Sequence, residues 1–567
     1  MRYKSDIQDA TSIWSQYQKG VDHHNKMNLY SDTETFYNMV ESNQWHGLQS
    51  GDEKMSSHDF ITGIVEHKVA MTAMNAMTIN YSPLNTGENQ QAYREACDKL
   101  NEFAASKWEL TKMDIADWET VNDACITGDA YRYFYDSGLN HQSIDRTNIY
   151  FADEQEKDIQ KQKRIIIYER RFVDDVKEDA KNNGIDEKDI ETIVADEDTD
   201  TLPEAAKQEV ETDKKCSCLL CLEKKKDGIY ISRSTQTVIY QPSTKIIGKD
   251  EQGNETGIGL TLYPIAKMMW YPKRGSARGI GEVKRYLNNQ INSNKLLYRR
   301  EEHIKQAAFP KPVVNTDMVD NPEDAKKVGV IMKIKGITSK VRDAFDFVAP
   351  QSATHEPKEL QDEYIDMSRN LANAGDNATG NINPENASGA AIIAVRDQQA
   401  VANNKPMAYH KQFIEDVARI WLDTWIAYNP NGLTIQVEQD QEDGTKALMD
   451  EVIPAEILQS LNAQIRIDVS PTNPYSKFAR EQSLENALAN QHITFDEYVE
   501  ALDDDASAPK GKFTDILEAR QALAEQQALM QEQSAQSQLE QAMGIIDQQN
   551  ALLAQYEGGG ADVMPPM

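Results

Sequence analysis

The run GEVKRYLNNQINSNKLLYRREEHIKQA, residues 281–307, decides how the rest of the chain is read. Val283, Leu287, Ile291, Leu297 and Ile304 mark an apolar side at helical spacing. Lys284, Asn288, Lys295 and Arg299 mark a basic side. No Gly or Pro follows Gly281 in this run, and about 26 residues at 1.5 Å each predict a rod of roughly 40 Å. The preceding Arg274-Gly-Ser-Ala-Arg-Gly-Ile-Gly281 is glycine-rich and leads into the helix, as a phosphate loop would. The chain contains no G-x-x-x-x-G-K-[ST], so a turn feeding the helix is the better reading.

On the C-terminal side Pro310 and Pro312 stop the rod, and residues 313–348 read as a small α/β unit with its clearest strand at 328–334. Pro357 opens a second helix, where proline is tolerated, with a stripe of Leu360, Tyr364, Met367 and Leu371 and a stop at Gly375. Residues 376–388 are rich in Asn and Gly, carry two acids and one large apolar residue, Ile382, and form an exposed loop. Its asparagines suit hydrogen bonding to a partner without strong ionic capture; an ordinary surface loop is the plainer alternative. A helical pattern resumes over 390–428, where Pro406 is expected to make a kink. Phe413, Val417, Ile420, Trp421, Trp425 and Tyr428 bury one side of it. Strands at 433–437 and 464–469 and a helix pair at 479–489 and 495–502 follow. The tail is rich in Gln, Ala, Glu and Leu. Ile516, Leu523 and Met530, then Leu539, Ile546 and Leu553 after a phase shift, step by seven, as in helices of a parallel bundle.

On the N-terminal side the first 130 residues read as helical, with helices through Phe60–Val69, 92–108 and 113–125. Gly128 ends this pattern, and a strand-rich region begins at 130–135, with a turn at Ser137-Gly138. Further strands are expected at 164–168, 216–222 and 229–240. Residues 174–214 are strongly acidic and read as a solvated helical insertion. The expected fold class is α+β, mainly helical.

The 567 residues exceed one ordinary domain, and 39% hydrophobic content is enough for a core. Mean hydropathy is −0.66. No window offers the roughly 18 apolar residues of a membrane helix, and the polar start does not resemble a secretory signal, so a soluble protein made in the cytosol and without membrane partners is expected. Five cysteines exclude a disulfide scaffold. Cys216, Cys218 and Cys221 are a weak zinc candidate without a fourth ligand; a buried strand using cysteine as a small apolar residue is the better reading. Formal charge is −32, which argues against a surface that grips nucleic acid throughout. Residues 284–342 nevertheless hold 13 Lys or Arg against six acids, a basic island in an acidic protein.

The order of parts resembles the portal proteins of tailed double-stranded DNA bacteriophages, podovirus-like ones in particular. The resemblance runs from about residue 10 to 510. It is carried by Asn43-Gln-Trp45-His-Gly47, Gly128-Asp-Ala-Tyr131, the two helices flanking a small domain, and Asn383-Pro-Glu-Asn-Ala-Ser388 before a long helix. It implies a wing over 1–280, a first stem helix at 281–307, a clip at 308–356 and a second stem helix at 357–375. A tunnel loop at 376–388, further wing elements at 389–475, a crown at 476–513 and a C-terminal helical barrel or tail at 514–567 complete the pattern. It further implies a non-catalytic ring, usually of twelve subunits, at one capsid vertex of the virion. DNA enters and leaves through the channel, and the large terminase subunit and then a head–tail adaptor dock on the ring. Major capsid and scaffolding proteins would be its other neighbours, and no cofactor is expected. Asn377, Thr379, Asn381, Asn383 and Asn386 would face DNA. Lys284, Lys295 and Arg299 would form the stem's basic face, and Lys326, Lys327, Lys333, Lys335 and Arg342 the clip's docking surface. Two other readings remain: a coiled-coil scaffold or adaptor resting on the tail, and a zinc-dependent nucleic-acid enzyme built on the cysteines.

Overall fold

The computed structural model describes residues 10–46, 55–74, 76–84, 89–196, 214–248, 258–308, 311–327, 331, 333–335, 340–348, 355–373, 403–440, 446–470 and shorter runs between 484 and 550. The chain divides into two compact units, Met1–Ser470 and Pro471–Met567. The structure is about 52% helix and 22% strand. Every strand pair among the described residues is antiparallel, which makes the class α+β.

The first unit opens with α1 (Ala10–Lys26), α2 (Leu29–Val40) and α3 (Ile61–Ala73). Strand β1 (Ala76–Pro83) follows, then α4 (Gln90–Leu110) and α5 (Met113–Thr127). The strand corrects the expectation of a wholly helical start. Its partner is remote: β1 pairs from Ala76↔Ser470 to Pro83↔Ala463, and no local pattern reports a neighbour nearly 400 residues away. Gly128 caps α5 at φ 114°, a conformation that glycine adopts without steric cost.

Next come β2 (Asp129–Tyr135), β3 (Asn140–Ile144), β4 (Ile149–Phe151) and β5 (Arg164–Phe172). Helices α6 (Val173–Asn182) and α7 (Glu187–Glu191) precede β6 (Lys215–Lys225), β7 (Gly228–Ser234), β8 (Gln241–Lys245) and β9 (Ile265–Met269). They form two sheets, ordered β3-β2-β9 and β4-β5-β6-β7-β8. The single strand expected at 229–240 is shorter, because β7 ends at Ser234 and the chain returns as β8. The acidic insertion is not wholly solvated. In its described part Val176, Ala180, Ile190 and Ile193 bury one side against Cys216, Cys218 and Tyr240.

The short pair β10 (Tyr271–Pro272) and β11 (Gly279–Ile280) leads into α8 (Glu282–Ala308). The glycine-rich run before α8 serves backbone packing: a Cβ at Gly279 would collide with the Gly128 carbonyl, and one at Gly281 with that of Ile126. After α8 come β12 (Lys311–Val314) and its partner β13 (Phe345–Val348), then α9 (His355–Ala372). Between the strands the described residues hold 3-10 turns at Pro322–Lys326 and Val341–Asp343 and an isolated bridge, Val319↔Ile334. The expected strand at 328–334 is reduced to that bridge in its described part. α9 is stopped by Asn373, φ 53°, just past its end and two residues before the expected Gly375 stop; asparagine tolerates the left-handed conformation.

Helix α10 (Asn404–Tyr428) packs on β9 and β16, with Phe413, Val417, Ile420, Trp421 and Trp425 buried. Pro406 lies in the first turn of the described helix, where no intrahelical N–H bond is lost; residues 390–402, and with them the expected kink, lie outside the described residues. β14 (Leu433–Asp440) and β15 (Lys446–Ile453) form a hairpin, and α11 (Ala455–Ser460) and β16 (Ala463–Ser470) close the unit. β15 is a strand that hydrophobic alternation did not reveal. The second unit contains α12 (Phe495–Ala501), started by a capping box between Thr494 and Glu497 and packed through Tyr498, Val499 and Leu502. The few described residues of the heptad tail are helical, among them the exposed Ile516, Met543 and Ile546.

Candidate functional site

Helices α8 and α9 run antiparallel as a hairpin, tipped by the β12–β13 pair. Asn289 Nδ2 donates to Ser368 Oγ at 2.9 Å, and Arg300 Nη1 to Gln361 Oε1 at 3.1 Å, which fixes their register. The side of α8 that meets the body is more polar than its sequence pattern suggests. Val283 and Tyr286 are buried, but so are Glu282, Gln290, Ser293 and Asn294. Leu287, Ile291 and Leu297 are half-buried, and Ile304 is exposed.

A network of amides explains this polar burial. Gln44 Oε1 accepts from Gln290 Nε2 at 3.0 Å and from Asn294 Nδ2 at 2.5 Å. Gln290 Nε2 also donates to the His58 carbonyl at 2.6 Å, and its Oε1 accepts the Phe60 N–H at 3.2 Å. Asn294 Oδ1 accepts the His58 N–H at 3.1 Å. One turn further along α8, Tyr298 meets Trp45 edge-on at 6.4 Å. Gln44 and Trp45 therefore clamp α8 at positions 290, 294 and 298, one face of the helix. Asn294→Ala removes a donor and an acceptor from this buried set, so a loss of about 1–3 kcal/mol is expected in the denaturant midpoint. A midpoint unchanged from the parent chain would show that the clamp does not hold α8.

The root of α8 is held by buried charges. Arg278 is fully buried and forks onto Glu154, with Nε–Oε2 at 3.1 Å and Nη2–Oε1 at 2.9 Å. It also donates to the carbonyls of Arg146 at 2.8 Å and Ile149 at 2.7 Å, and to His24 Nε2 at 3.0 Å. Its guanidinium covers the Phe151 ring at 4.8 Å. Asp129 receives Arg146 at 2.9 Å, the Tyr131 hydroxyl at 2.7 Å and the Gly279 N–H at 2.9 Å. Burial alone would raise both carboxyls. The Arg146 and Arg278 charges with the Tyr131 and Gly279 donors hold Asp129 below the usual range, and the Arg278 charge and its two bonds do the same for Glu154. His24 stacks on Tyr150 at 4.5 Å, and burial, aided by the Arg278 charge, lowers its pKa to about 4. As Nε2 accepts from Arg278, the ring is neutral with its proton on Nδ1.

The outer surface of the hairpin is where most of the expected site residues fall. Lys284, Lys295 and Arg299 are exposed on α8, but Lys284 is paired with Asp32 at 2.7 Å. Lys327, Lys333, Lys335 and Arg342 are exposed in the segment between β12 and β13, with Lys327 on Asp324 at 2.9 Å and Lys335 on Asp320 at 3.0 Å. The Lys326 side chain and the loop residues Asn377, Thr379, Asn381, Asn383 and Asn386 lie outside the described residues.

The stripe expected to bury α9 is displaced by about one residue. Gln361, Ile365, Ser368 and Ala372 face α8, whereas Leu360, Met367 and Leu371 are 42–57% exposed. Eight of the twenty-one exposed large apolar side chains among the described residues fall between Ile304 and Leu371, which singles this segment out as an unpartnered surface.

The three cysteines do not converge. Alternation along β6 puts Cys216 and Cys218 on one face beside Tyr240, with sulfurs 3.9 Å apart, and Cys221 on the other beside Tyr150 and Tyr168. Burial pushes the Cys221 thiol up to about 12, and all three sulfurs are packed inside the sheet region as small apolar groups. Among the described residues no group of three or more His, Cys, Asp or Glu is arranged to hold a metal, and no helix is long and apolar enough to cross a membrane.

Sequence reasoning missed Gln44, Gln290 and Asn294 as a unit, and the His24–Asp129–Glu154–Arg278 set. A signal existed for the first: Gln290 and Asn294 recur at i, i+4 on the same side as Val283, Tyr286 and Leu297. No protein-family model matches the chain, and no curated protein matches it.

Proposed function

We propose that this chain is the subunit of a portal-type ring, a non-catalytic assembly at one capsid vertex through which double-stranded DNA passes. The observation that carries this reading is the α8–α9 hairpin, tipped by β12–β13 and exposing Leu360, Met367, Leu371 and Ile304 to solvent. A stripe of that kind needs a covering surface. Head-to-tail repetition of one copy covers it on every subunit, and when the rotation closes it makes a ring with a central passage.

The sequence resemblance supplies the finer terms. Twelve subunits would assemble in the host cytoplasm and reside in the virion, held by major capsid and scaffolding proteins. The clip residues Lys327, Lys333, Lys335 and Arg342 would receive the large terminase subunit during packaging and a head–tail adaptor afterwards. The loop at 376–388 would touch the moving duplex through weak polar contacts. A net charge of −32 on each subunit makes the remaining wall repulsive to phosphate, which favours sliding over sticking. No cofactor is needed for such a role.

Negative-stain images of the purified chain test the reading. Uniform rings with a central hole are expected, and a population of single compact chains would overturn it. In rings that do form, Asn381→Ala with Asn383→Ala is expected to lower packaged DNA about tenfold while ring number stays at the parent level. Loss of the rings themselves would remove the loop from the channel.

A further inference from the structure

One arginine stands on an apolar sheet face without a counter-charge. Strand β7 pairs with β6 through Leu222↔Ile231 and Leu220↔Arg233, so Arg233 projects from the same face as Leu220, Leu222, Ile229 and Ile231. That face meets Tyr131, Tyr133 and Ile265 of the three-stranded sheet in one core. The Arg233 guanidinium lies against the Tyr133 hydroxyl. Its Nε is buried without a hydrogen-bond partner, and it forms no ion pair among the described residues. The acids nearby are engaged elsewhere. Asp136 takes the Gly138 N–H and the Asn140 amide, both at 2.8 Å, Glu169 takes Gln142 at 3.4 Å, and Asp227 pairs with Lys245 at 3.9 Å. Desolvating a cation without a counter-charge destabilises a fold, so this position calls for an anion from outside the chain.

Arg233 borders a cleft of about 280 Å³ between the two sheets. Tyr133, Tyr135 and Tyr428 line it together with Ile231, Leu260 and Pro264, and the edge strand β8 adds Gln241 and Thr244. The β7–β8 pairing shifts at this point. It runs from Ile231↔Thr244 to Arg233↔Gln241, two steps along β7 against three along β8, which is a bulge beside the cleft. We infer that the cleft binds a small aromatic carboxylate, its carboxylate on the Arg233 guanidinium and its ring among the tyrosines. The planar fork of arginine matches a carboxylate through two parallel N–H bonds, and the unpartnered Nε is one donor of that fork. With Lys245 already paired, the cleft offers one uncompensated positive charge, which suits a monoanion better than a phosphate dianion. The Tyr133 and Tyr135 rings lie 6.0 Å apart with 31° between their planes, and Tyr135 is 42% exposed, so an aromatic wall is open to solvent. The inference does not depend on the ring reading and adds a ligand site to the same chain.

The test uses the full chain, with phenylacetate as the probe and phenylacetamide, acetate and phenyl phosphate as comparisons. Calorimetric titration is expected to give a Kd below about 1 mM for phenylacetate. The amide, which lacks the charge, and acetate, which lacks the ring, should each bind at least about tenfold more weakly. Arg233→Met should weaken phenylacetate at least about tenfold. Its thermal midpoint without ligand should equal or exceed the parent's, because the change removes an unpaired charge. Arg233→Lys keeps the charge without the fork, so it should fold like the parent and bind phenylacetate several-fold more weakly. A lower midpoint for ligand-free Arg233→Met would make the arginine a structural residue and overturn the inference. So would phenylacetate that shows no saturable binding up to about 10 mM, equal affinity for acid and amide, undiminished binding by Arg233→Met, or tighter binding of phenyl phosphate. Ring assembly is read separately by the negative-stain images, so either idea can fail while the other stands.

Discussion

Arg278→Met is expected to lower the stability of the first unit by about 3–5 kcal/mol. The guanidinium is the common counter-charge of Asp129 and Glu154, with the Asp129 carboxylate 3.7 Å away and Glu154 held by two bonds. Removing it leaves Asp129 with Arg146 and Glu154 without its bidentate partner, and three acceptors, the carbonyls of Arg146 and Ile149 and the His24 ring, without their donor. Arg278→Lys keeps the charge but cannot span Glu154, Ile149 and His24 at once, so an intermediate loss of about 2 kcal/mol is expected. Denaturant midpoints at constant slope read both values. A midpoint for Arg278→Met within about 1 kcal/mol of the parent would mean that the cluster relaxes to water and does not anchor α8.

The same cluster makes the fold acid-sensitive in a defined window. His24 has a pKa of about 4 in the folded chain against 6.5 when exposed. Between these values the unfolded chain binds a proton that the folded chain refuses, so stability rises with pH there. There is no cost above pH 6.5; it grows as pH falls through the window and amounts to about 3 kcal/mol of lost stability at the lower end. Asp129 and Glu154 add a second decline lower down. Their folded pKa values lie below the unfolded ones, so their contribution is present above the ordinary carboxylate range and lost as pH falls through the depressed values. Burial raises Asp123 and Asp416 to about 6 and works the other way in this window, so the readout is the difference between parent and His24→Gln: from pH 7.5 through 6 to 5 the parent midpoint should fall progressively relative to that of His24→Gln. An equal slope in that variant would assign the acid loss to another group.

The long helices were legible because their periodicity is strong and their ends are marked. α8 lies within one residue of its expected limits, and α4, α5 and the buried face of α10 follow their apolar spacing. The buried reading of the cysteine strand holds, since β6 hides all three sulfurs. The strands that escaped, β1 and β15, are joined to the fold by pairing with β16 and β14, and a strand's partner leaves no trace in its own sequence. The candidate surface was half legible. Basic and apolar positions on α8 and α9 could be enumerated, but a helical stripe only says that a face is apolar, not which neighbour covers it.

The sequence by itself determined the lengths of the rods, the glycine that ends α5, the basic island and the acidic remainder, since each follows from local spacing or from counting charges. Tertiary structure alone decided that Gln290 and Asn294 turn into the body while Leu360, Met367 and Leu371 turn outward. The physical reason is that buried amides are stable only when every donor and acceptor is met. Gln44, His58 and Phe60 meet them from segments over 200 residues away, which no local pattern encodes. The same long-range pairing decided the fate of Arg278, an arginine in a glycine-rich turn that reads as surface and becomes the buried counter-charge at the root of α8.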